Sequence, residues 1–215
     1  MKQTAIVIGA TGLVGQALVD RLISCDCVTR IITLTRRPHA STSTKLENHV
    51  VDFEKLDQAA TLFRGHWLFS CLGTTKKQAG SIDAQRKVDL DYQYQAARIS
   101  AEQGVEHYLL VSSSGANAQS RSAYLQMKGE LEEKVQNLPF GRISIFQPSL
   151  LLGDRSEQRM GEALGSLVLP ALTKIPGLRR YRPIRGGQVA EKMVRVSQKS
   201  GQRREWFRLD EIFQP

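Results

Sequence analysis

The sequence contains few of the features that mark membrane proteins, disulfide-bonded scaffolds or metal sites. All of its apolar runs are shorter than the ~18 residues that a membrane-spanning helix needs. Only 3 cysteines occur, Cys25, Cys27 and Cys71, and the single residue between the first two does not match a zinc-binding spacing. This composition predicts a cytoplasmic protein with reduced thiols, no membrane span and no metal centre.

We expect no signal peptide in this sequence, and no internal repeat or low-complexity linker appears in it. The amino-terminal stretch AIVIGATGLVGQAL is apolar, but Gly, Thr and Gln interrupt it and no cluster of positive charges precedes it. These features favour a strand followed by a turn over a signal peptide. We therefore expect one domain over residues 1–215.

The charge is strongly positive and unevenly distributed. The net charge is +9, and the region from Lys174 to the end holds eleven Lys and Arg residues against four Asp and Glu residues. Such a region is compatible with nucleic acid, an acidic membrane, an anionic substrate or solvent alone. No nucleic-acid-binding motif accompanies Arg179, Arg180 and Arg182, so we do not expect nucleic acid as a partner.

Short apolar runs alternate with longer helical patterns along the chain. The predicted strands are 5–8, 30–35, 49–51, 66–71, 107–112, 142–147 and 205–209, and the predicted helices are 13–24, 83–103, 121–137 and 187–198. Several strands are apolar at successive positions, as in a parallel sheet covered on both faces. The pattern predicts an α/β fold with a doubly wound parallel β-sheet flanked by helices.

A glycine-rich turn follows the first predicted strand. Gly9, Gly12 and Gly15 have the spacing G-x-x-G-x-x-G and lead into the first helix. Glycines let the backbone approach a pyrophosphate, and the free amides at a helix start bind the anion. The motif therefore predicts an NAD(P)-binding Rossmann fold with its dinucleotide-binding core at 1–152. Residues 153–186 interrupt the alternation and are expected to form a small substrate cap, before a final helix and edge strand at 187–215.

Two arginines, Arg36 and Arg37, end the second predicted strand. Folds that prefer NAD carry Asp or Glu near this position, whereas an Arg there accommodates the 2′-phosphate of NADP. Adjacent guanidiniums can bind a phosphate, although they can also be exposed loop residues of a basic protein. The lack of an acidic residue at this strand end favours NADPH (NADP) as the cofactor.

Tyr124 and Lys128 are four residues apart in the string YLQMK, so a helix would place them on one face. A Tyr-x-x-x-Lys match is common by chance and equally describes the polar side of a surface helix. Its significance depends on the rest of the chain.

With the glycine loop, the two arginines and the strings VVDF, SCLGTT, LLVSSSGA and YLQMKGE in order, the chain resembles the short-chain dehydrogenase/reductase superfamily over nearly its whole length. It looks like the atypical branch that contains the Tat-interacting-protein (CC3-like) oxidoreductases. The glycine motif and the resemblance together imply these cofactor-binding residues: Gly9, Thr11, Gly12, Leu13, Val14, Gly15, Arg36, Arg37, Asp52, Leu72, Gly73, Tyr124, Lys128, Leu151 and Arg159.

The resemblance implies a catalytic set of Ser113, Tyr124 and Lys128, with Ser114 as the alternative serine. Reduction of a carbonyl needs a proton for the developing alkoxide, which Tyr124 would donate. A phenol has a pKa near ~10, and a nearby ammonium favours its ionised form. Lys128 would supply that charge and bind the nicotinamide ribose, and Ser113 would polarise the carbonyl.

The sequence departs from the superfamily pattern at two places. Asp89 and Asp91 stand in KVDLDY, where relatives often have an Asn that takes part in a proton relay. Ser149 stands in QPSLLLG, where relatives often have Gly. The relay is therefore expected to differ or to be missing.

Two functional classes remain open at this point. The first is an NADPH-dependent oxidoreductase that reduces an unknown small-molecule carbonyl. The second is an NADPH-binding regulatory or scaffold protein with a protein partner and little turnover. The retained serine, tyrosine and lysine favour the enzyme, since a sensor needs no proton donor. The sequence does not decide between a monomer and a dimer.

Overall fold

The computed structural model describes residues 2–38, 41–152, 180 and 182–214. Most of the expected cap at 153–186 lies outside the described residues, as do Arg159 and Arg179. The account below concerns the described part of the chain.

The strands and helices follow the predicted alternation. The strands are β1 (Gln3–Ile8), β2 (Val28–Thr35), β3 (Leu46–Val50), β4 (Trp67–Ser70), β5 (His107–Val111), β6 (Arg142–Gln147), β7 (Leu151–Leu152), β8 (Ile184–Arg185) and β9 (Arg204–Arg208). The α-helices are α1 (Leu13–Ile23), α2 (Lys76–Ala79), α3 (Ile82–Arg86), α4 (Tyr92–Glu102), α5 (Ala123–Gln136) and α6 (Gly186–Gln198). A π-helical turn covers Lys87–Asp91, and 3₁₀ segments cover Phe53–Phe63 and Leu209–Phe213.

Seven strands form one parallel sheet in the order β3-β2-β1-β4-β5-β6-β9. The chain runs outward from β1 through β2 to β3 and then returns to β4 on the other side of β1. The strand order reverses between β1 and β4, and ligands of open α/β sheets bind beyond the carboxyl ends of the strands at such a point. The predicted doubly wound parallel sheet is confirmed.

In the central strand β1, apolar residues occupy successive positions because both faces of the strand are buried. Ala5 and Val7 pack into the hydrophobic layer that contains α1 and α6, whereas Ile6 and Ile8 pack into the layer that contains α4 and α5. All four side chains are fully buried because each face of the sheet is covered by helices. Such burial stabilises the fold by roughly 25 cal/mol for each Å² of apolar surface removed from water.

The predicted helix at 83–103 is divided by the π-helical turn between α3 and α4. A π-turn inserts one extra residue into the helix and is often found at functional sites. In this turn Asp89 and Leu90 are buried, while Lys87 and Asp91 remain exposed. The sequence pattern does not reveal this interruption.

The short strands β7 and β8 pair in parallel, with Leu151 opposite Ile184. This pairing brings the two ends of the segment between them to the same edge of the molecule. The hydroxyl of Ser149 donates to the carbonyl of Arg182, whose guanidinium lies 3.8 Å above the ring of Phe213. Among the helices that the structure describes, none is long and apolar enough to cross a membrane.

Candidate active site

The described residues of the predicted site cluster along one edge of the sheet. Thr11 and the glycine loop follow β1, Arg36 and Arg37 follow β2, Asp52 follows β3, Leu72 and Gly73 follow β4, Ser113 follows β5, and Leu151 begins β7 just after β6. Since all of these strands are parallel, their carboxyl ends meet at the same edge. The topology therefore brings the predicted residues to one crevice, with β1 and β4 at its centre.

The glycine loop is built by backbone contacts that tolerate no side chain. Gly9 has a φ of 79°, and a Cβ there would lie 2.4 Å from the carbonyl carbon of Cys71. A Cβ on Gly15 would lie 2.1 Å from the carbonyl oxygen of Gly9. Gly9 thus permits the turn and its approach to β4, and Gly15 permits α1 to pack against the loop.

The start of α1 fits an anionic group. Gly12 is the N-cap residue, no side chain caps the helix, and its first turn contains no acidic residue. Leu13 and Val14 are the first two helical residues, and their amides lie among the four that have no partner within a helix. The positive end of the helix dipole also favours a negative charge here. A dinucleotide phosphate is the ligand that this arrangement fits.

The arginines at the end of β2 are exposed, and neither forms an ion pair with the described residues. The hydroxyl of Thr35 donates to the carbonyl of Arg37 at 2.7 Å, which fixes the backbone where it leaves the strand. Burial and Glu54 raise the pKa of Tyr92 to about 12, and the positive charge of Arg36 opposes this shift. Both guanidiniums are accessible to a phosphate.

Asp52 has a structural contact of its own. Its carboxylate accepts a hydrogen bond from the Glu54 amide at 3.0 Å and caps the 3₁₀ segment Phe53–Phe63. The residue is exposed at the carboxyl end of β3, so the cap leaves it open to a ligand as well.

Tyr124 and Lys128 lie on one face of α5, as their spacing predicts. Lys128 Nζ is 5.9 Å from the centroid of the Tyr124 ring. The tyrosine remains 37% exposed, whereas the lysine is only 2% exposed. The pair therefore reaches from the interior of the protein to a surface from which a substrate can approach.

A buried carboxylate accompanies the lysine. Lys128 Nζ lies 2.9 Å from Oδ1 of Asp89, and the two side chains are 3% and 0% exposed. The contact is an ion pair rather than a well-aligned hydrogen bond. The second carboxylate oxygen accepts a hydrogen bond from the Thr74 amide at 3.1 Å. Asp89 thus joins α5 to the loop after β4.

The sulfur of Cys71 lies in the same region, at the end of β4. Burial raises the pKa of this thiol to about 12, and the positive charge of Lys128 opposes the shift. The thiol is therefore neutral at physiological pH, and it contributes no charge to the neighbourhood of the lysine.

Of the consecutive serines after β5, Ser112 is already engaged. It is 4% exposed, and its hydroxyl donates to the carboxylate of Glu132. Ser113 is half-buried, and its hydroxyl makes only a long contact of 3.4 Å with the carbonyl of Ser114. The Ser113 hydroxyl is thus accessible to a ligand, and the choice between Ser113 and Ser114 stays a prediction.

Glu132 is a residue that the sequence reasoning missed. It lies one turn after Lys128, and its carboxylate also accepts hydrogen bonds from Gln147 at 3.0 Å and Trp206 at 3.3 Å. Together with Ser112, these bonds hold the ends of β5 and β6 and the strand β9 against α5. The network fixes the serine segment relative to the helix that carries the tyrosine.

Gly129 is a second missed residue. A Cβ at this position would lie 2.2 Å from the backbone nitrogen of Ala118. The loop between Ser113 and Tyr124 therefore lies directly on the helix backbone. A glycine inside an otherwise helical pattern is the sequence signal that could have indicated this close approach.

A parallel sheet with this strand order, a glycine turn after its first strand and an anion-binding helix start defines a nucleotide-binding Rossmann protein. A match to the NAD dependent epimerase/dehydratase family spans residues 5–209. The chain belongs to this family. The membership supports a nicotinamide dinucleotide as its cofactor.

Two curated relatives are similar over most of the chain. Protein HTATIP2 of Rattus norvegicus is 39% identical over 166 residues, which cover 75% of this chain and 68% of the relative. Protein FMP52-1, mitochondrial, of Scheffersomyces stipitis is 36% identical over 208 residues, which cover 92% of this chain and 89% of the relative. The first of these confirms the resemblance to the Tat-interacting-protein branch.

Solved structures show the same fold. The Bordetella bronchiseptica enzyme WbmH in complex with NAD+ has a TM-score of 0.73 at 11% identity, covering 97% of this chain and 75% of that chain. A short-chain dehydrogenase/reductase superfamily protein from Agrobacterium tumefaciens with bound NAD has a TM-score of 0.72 at 14% identity, covering 96% and 77%.

The relatives contradict one expectation from the sequence. The composition predicts a cytoplasmic protein, but relatives from Scheffersomyces stipitis, Emericella nidulans and Candida glabrata are named as mitochondrial proteins. The prediction of a purely cytoplasmic location is wrong. Its basis was the small number of cysteines and the lack of an apolar span, and neither feature separates the cytoplasm from another reducing compartment.

Proposed function

We propose that the protein is an NADPH-dependent oxidoreductase that reduces a carbonyl group of a small molecule. The observation that carries the proposal is the pair formed by the half-exposed phenol of Tyr124 and the buried ammonium of Lys128 on one face of α5. The pair lies at the sheet edge that also carries the glycine loop. A proton donor is thus combined with a fold that binds a nicotinamide dinucleotide. The whole chain would act as a single Rossmann domain.

Each residue of the proposed catalytic set has one task. The nicotinamide, when bound, supplies the hydride. Tyr124 donates its phenolic proton to the oxygen of the carbonyl being reduced. Ser113 donates a hydrogen bond to that oxygen and stabilises the charge that develops there. Lys128 stabilises the remaining phenolate and binds the hydroxyls of the nicotinamide ribose.

The cofactor proposal assigns each remaining residue to a part of the dinucleotide. The amides of Thr11 to Gly15 would bind the pyrophosphate, and Arg36 and Arg37 the 2′-phosphate. Asp52 would contact the adenine, and Leu72 and Gly73 the adenosine ribose. Leu151 and Arg159 would lie near the nicotinamide, with Arg159 assigned from the sequence alone.

NADPH should bind more than tenfold more tightly than NADH, because a good phosphate contact contributes at least ~1.4 kcal/mol, which is tenfold in affinity. The measurement is a fluorescence titration with each cofactor. Changing Arg36 and Arg37 together to Ala should remove most of the preference. Arg64→Ala is the matched control, because Arg64 precedes β4 at the opposite edge of the sheet. Equal affinities in the unaltered protein would contradict the assignment of the phosphate site.

The reaction is tested by following NADPH oxidation against a panel of aldehydes, ketones and quinones. Tyr124→Phe should abolish any turnover and leave NADPH affinity within about twofold of the original, because the ring is retained and only the hydroxyl is lost. Full activity in this variant would show that another group donates the proton. Tight NADPH binding without turnover of any compound in the panel would instead favour the regulatory alternative.

A further inference from the structure

The carboxylate of Asp89 is the most completely buried charged group near the proposed site. It is 0% exposed and lies in the π-helical turn. A buried carboxylate is costly unless charges and hydrogen bonds compensate it. Asp89 has two such partners, the Lys128 ammonium at 2.9 Å and the Thr74 amide at 3.1 Å.

Both partners belong to elements that the proposed function uses. Lys128 is on α5 with Tyr124, and Thr74 directly follows Gly73 in the loop after β4. A Cβ on Gly73 would lie 3.7 Å from Oδ1 of the same carboxylate. Asp89 therefore fixes the lysine relative to the loop that is proposed to bind the cofactor.

The negative charge of Asp89 also alters the electrostatic field at the ring of Tyr124. An ammonium 5.9 Å from the ring would, by itself, favour the phenolate. A carboxylate in direct contact with that ammonium cancels a large part of its field at the ring. A neutral Asn in the same place would hold the lysine without this effect. We propose that Asp89 is a positioning residue that holds Lys128 in the site and sets, through it, the pH at which Tyr124 releases its proton.

The other ionisable groups around the cluster do not replace Asp89 in this role. Cys71 is a neutral thiol, since burial raises its pKa to about 12. Arg86 and Glu130 form an ion pair with each other, so their charges largely cancel. Glu132, the next acid along α5, is held by Ser112, Gln147 and Trp206. Asp91 is exposed on the same π-helical turn, and its charge acts on Arg86 and Lys87.

The inference rests on the proposed function for its significance, but it can be tested without cofactor or substrate. The chain contains 5 tyrosines, so NMR of protein labelled in the tyrosine rings can follow each phenol as the pH is raised. Spectra of Tyr124→Phe identify the resonance of Tyr124 by its disappearance. The variants are Asp89→Asn, Lys128→Met and the combination of the two, and Asp91→Asn is the matched control on the same turn.

The expected order is set by the charges that each variant retains. Tyr124 should ionise at a lower pH in Asp89→Asn than in the unaltered protein, and at a higher pH in Lys128→Met, with the double variant in between. A charge ~6 Å away, as the Lys128 ammonium is from the Tyr124 ring centroid, moves such a midpoint by about one pH unit at an effective dielectric near ~40, and the carboxylate acts in the opposite direction. Asp91→Asn should not move it. Should Lys128→Met, the more destabilising of the two single changes, fail to fold, the same carboxylate effect is read from the difference between the unaltered protein and Asp89→Asn.

Identical midpoints with and without the Asp89 carboxylate, in every background that folds, would overturn the proposal and leave Asp89 with a purely structural role. The expected shift in a protein that turns over no carbonyl compound would support the proposal and contradict the proposed enzyme. Failure of the Asp89 proposal can therefore be distinguished from failure of the proposed enzymatic function. Where a substrate is found, the pH profile of kcat/KM should shift to lower pH in Asp89→Asn and stay unchanged in Asp91→Asn.

Discussion

The buried ion pair between Asp89 and Lys128 should show a large energetic coupling. The two side chains are 0% and 3% exposed, so neither charge can be hydrated by bulk water when its partner is removed. Removal of one partner from a buried pair typically costs about 3–5 kcal/mol, because an uncompensated charge stays behind. Replacement of both partners by neutral groups costs much less, since no buried charge is left.

The structure also indicates which single change should be less harmful. Asp89→Asn keeps a side-chain oxygen in the same place, which can accept a hydrogen bond from the Thr74 amide or from the Lys128 ammonium. Lys128→Met leaves the carboxylate with only that one amide. We therefore expect a loss of about 2–3 kcal/mol for Asp89→Asn and about 3–5 kcal/mol for Lys128→Met. For the double variant we expect a loss of about 1–2 kcal/mol, well below the sum of the two single effects.

Urea denaturation of the four proteins at neutral pH gives the free energies of unfolding that this cycle needs. A coupling of at least ~2 kcal/mol is expected for groups in direct contact. Asp91→Asn, which changes an exposed carboxylate on the same turn, should alter the stability by less than about 0.5 kcal/mol. Additive effects of the two single changes would refute the reasoning, because they would mean that the two groups do not compensate each other.

Two further predictions concern the packing of α5 and the pH dependence of stability. Gly129→Ala should destabilise the protein by about 1–3 kcal/mol in urea denaturation, because its Cβ would lie 2.2 Å from the Ala118 nitrogen. Gly141→Ala is the control, since a Cβ there makes an ordinary contact of 3.5 Å. Equal stability of the two variants would contradict the close contact at Gly129. Burial lowers the pKa of His107 from about 6.5 to about 3. Between these two values the unfolded chain binds a proton that the folded chain does not, so the free energy of unfolding should decrease by up to ~1.4 kcal/mol for each unit by which the pH is lowered. His107→Gln should lose this component of the slope in denaturation measured from pH ~6.5 to pH ~4, and His49→Gln, on the edge strand, should keep it.

The sheet could be predicted because most of its strands contain a short run of apolar residues that can be recognised in the local sequence. The apolar residues 5–8 of β1 and all five residues of β5 are buried, and runs of this kind identify strands covered on both faces. The glycine turn was equally readable, since the backbone approach of Gly9 to Cys71 can be made only by a residue without a side chain. These features depend on neighbours in sequence and on steric rules that hold in any fold.

The π-helical turn was not predictable on the same grounds. A helical periodicity describes residues three and four apart, and one inserted residue shifts the following face without changing the composition. The turn buries Asp89 and Leu90 while leaving Asp91 exposed. From KVDLDY alone the two aspartates are equivalent. The sequence identified both as departures from the superfamily pattern, but only the fold distinguishes them, because only Asp89 meets Lys128.

The contacts that fix the segment around Ser113 could not be predicted from the sequence either, because they join residues far apart in the chain. Ser112 and Glu132 are joined across the interface between β5 and α5, and Gln147 and Trp206 arrive from β6 and β9. No spacing rule links these four positions. The motif LLVSSSGA indicates a functional serine, yet it cannot show that Ser112 points inward and is already bound.

The same lysine bears on the choice between an enzyme and a cofactor-binding regulator. A regulator needs Lys128 only as a ligand for the ribose, and a lysine held by Asp89 and buried to 2% exposure would serve that purpose. A ribose ligand does not require a phenol beside it. Tyr124 lies over the same ammonium and keeps 37% of its surface open, although a tyrosine kept only for packing would be expected to turn its ring into the core. The exposed phenol next to a buried and compensated ammonium therefore favours the proposed oxidoreductase over the regulator.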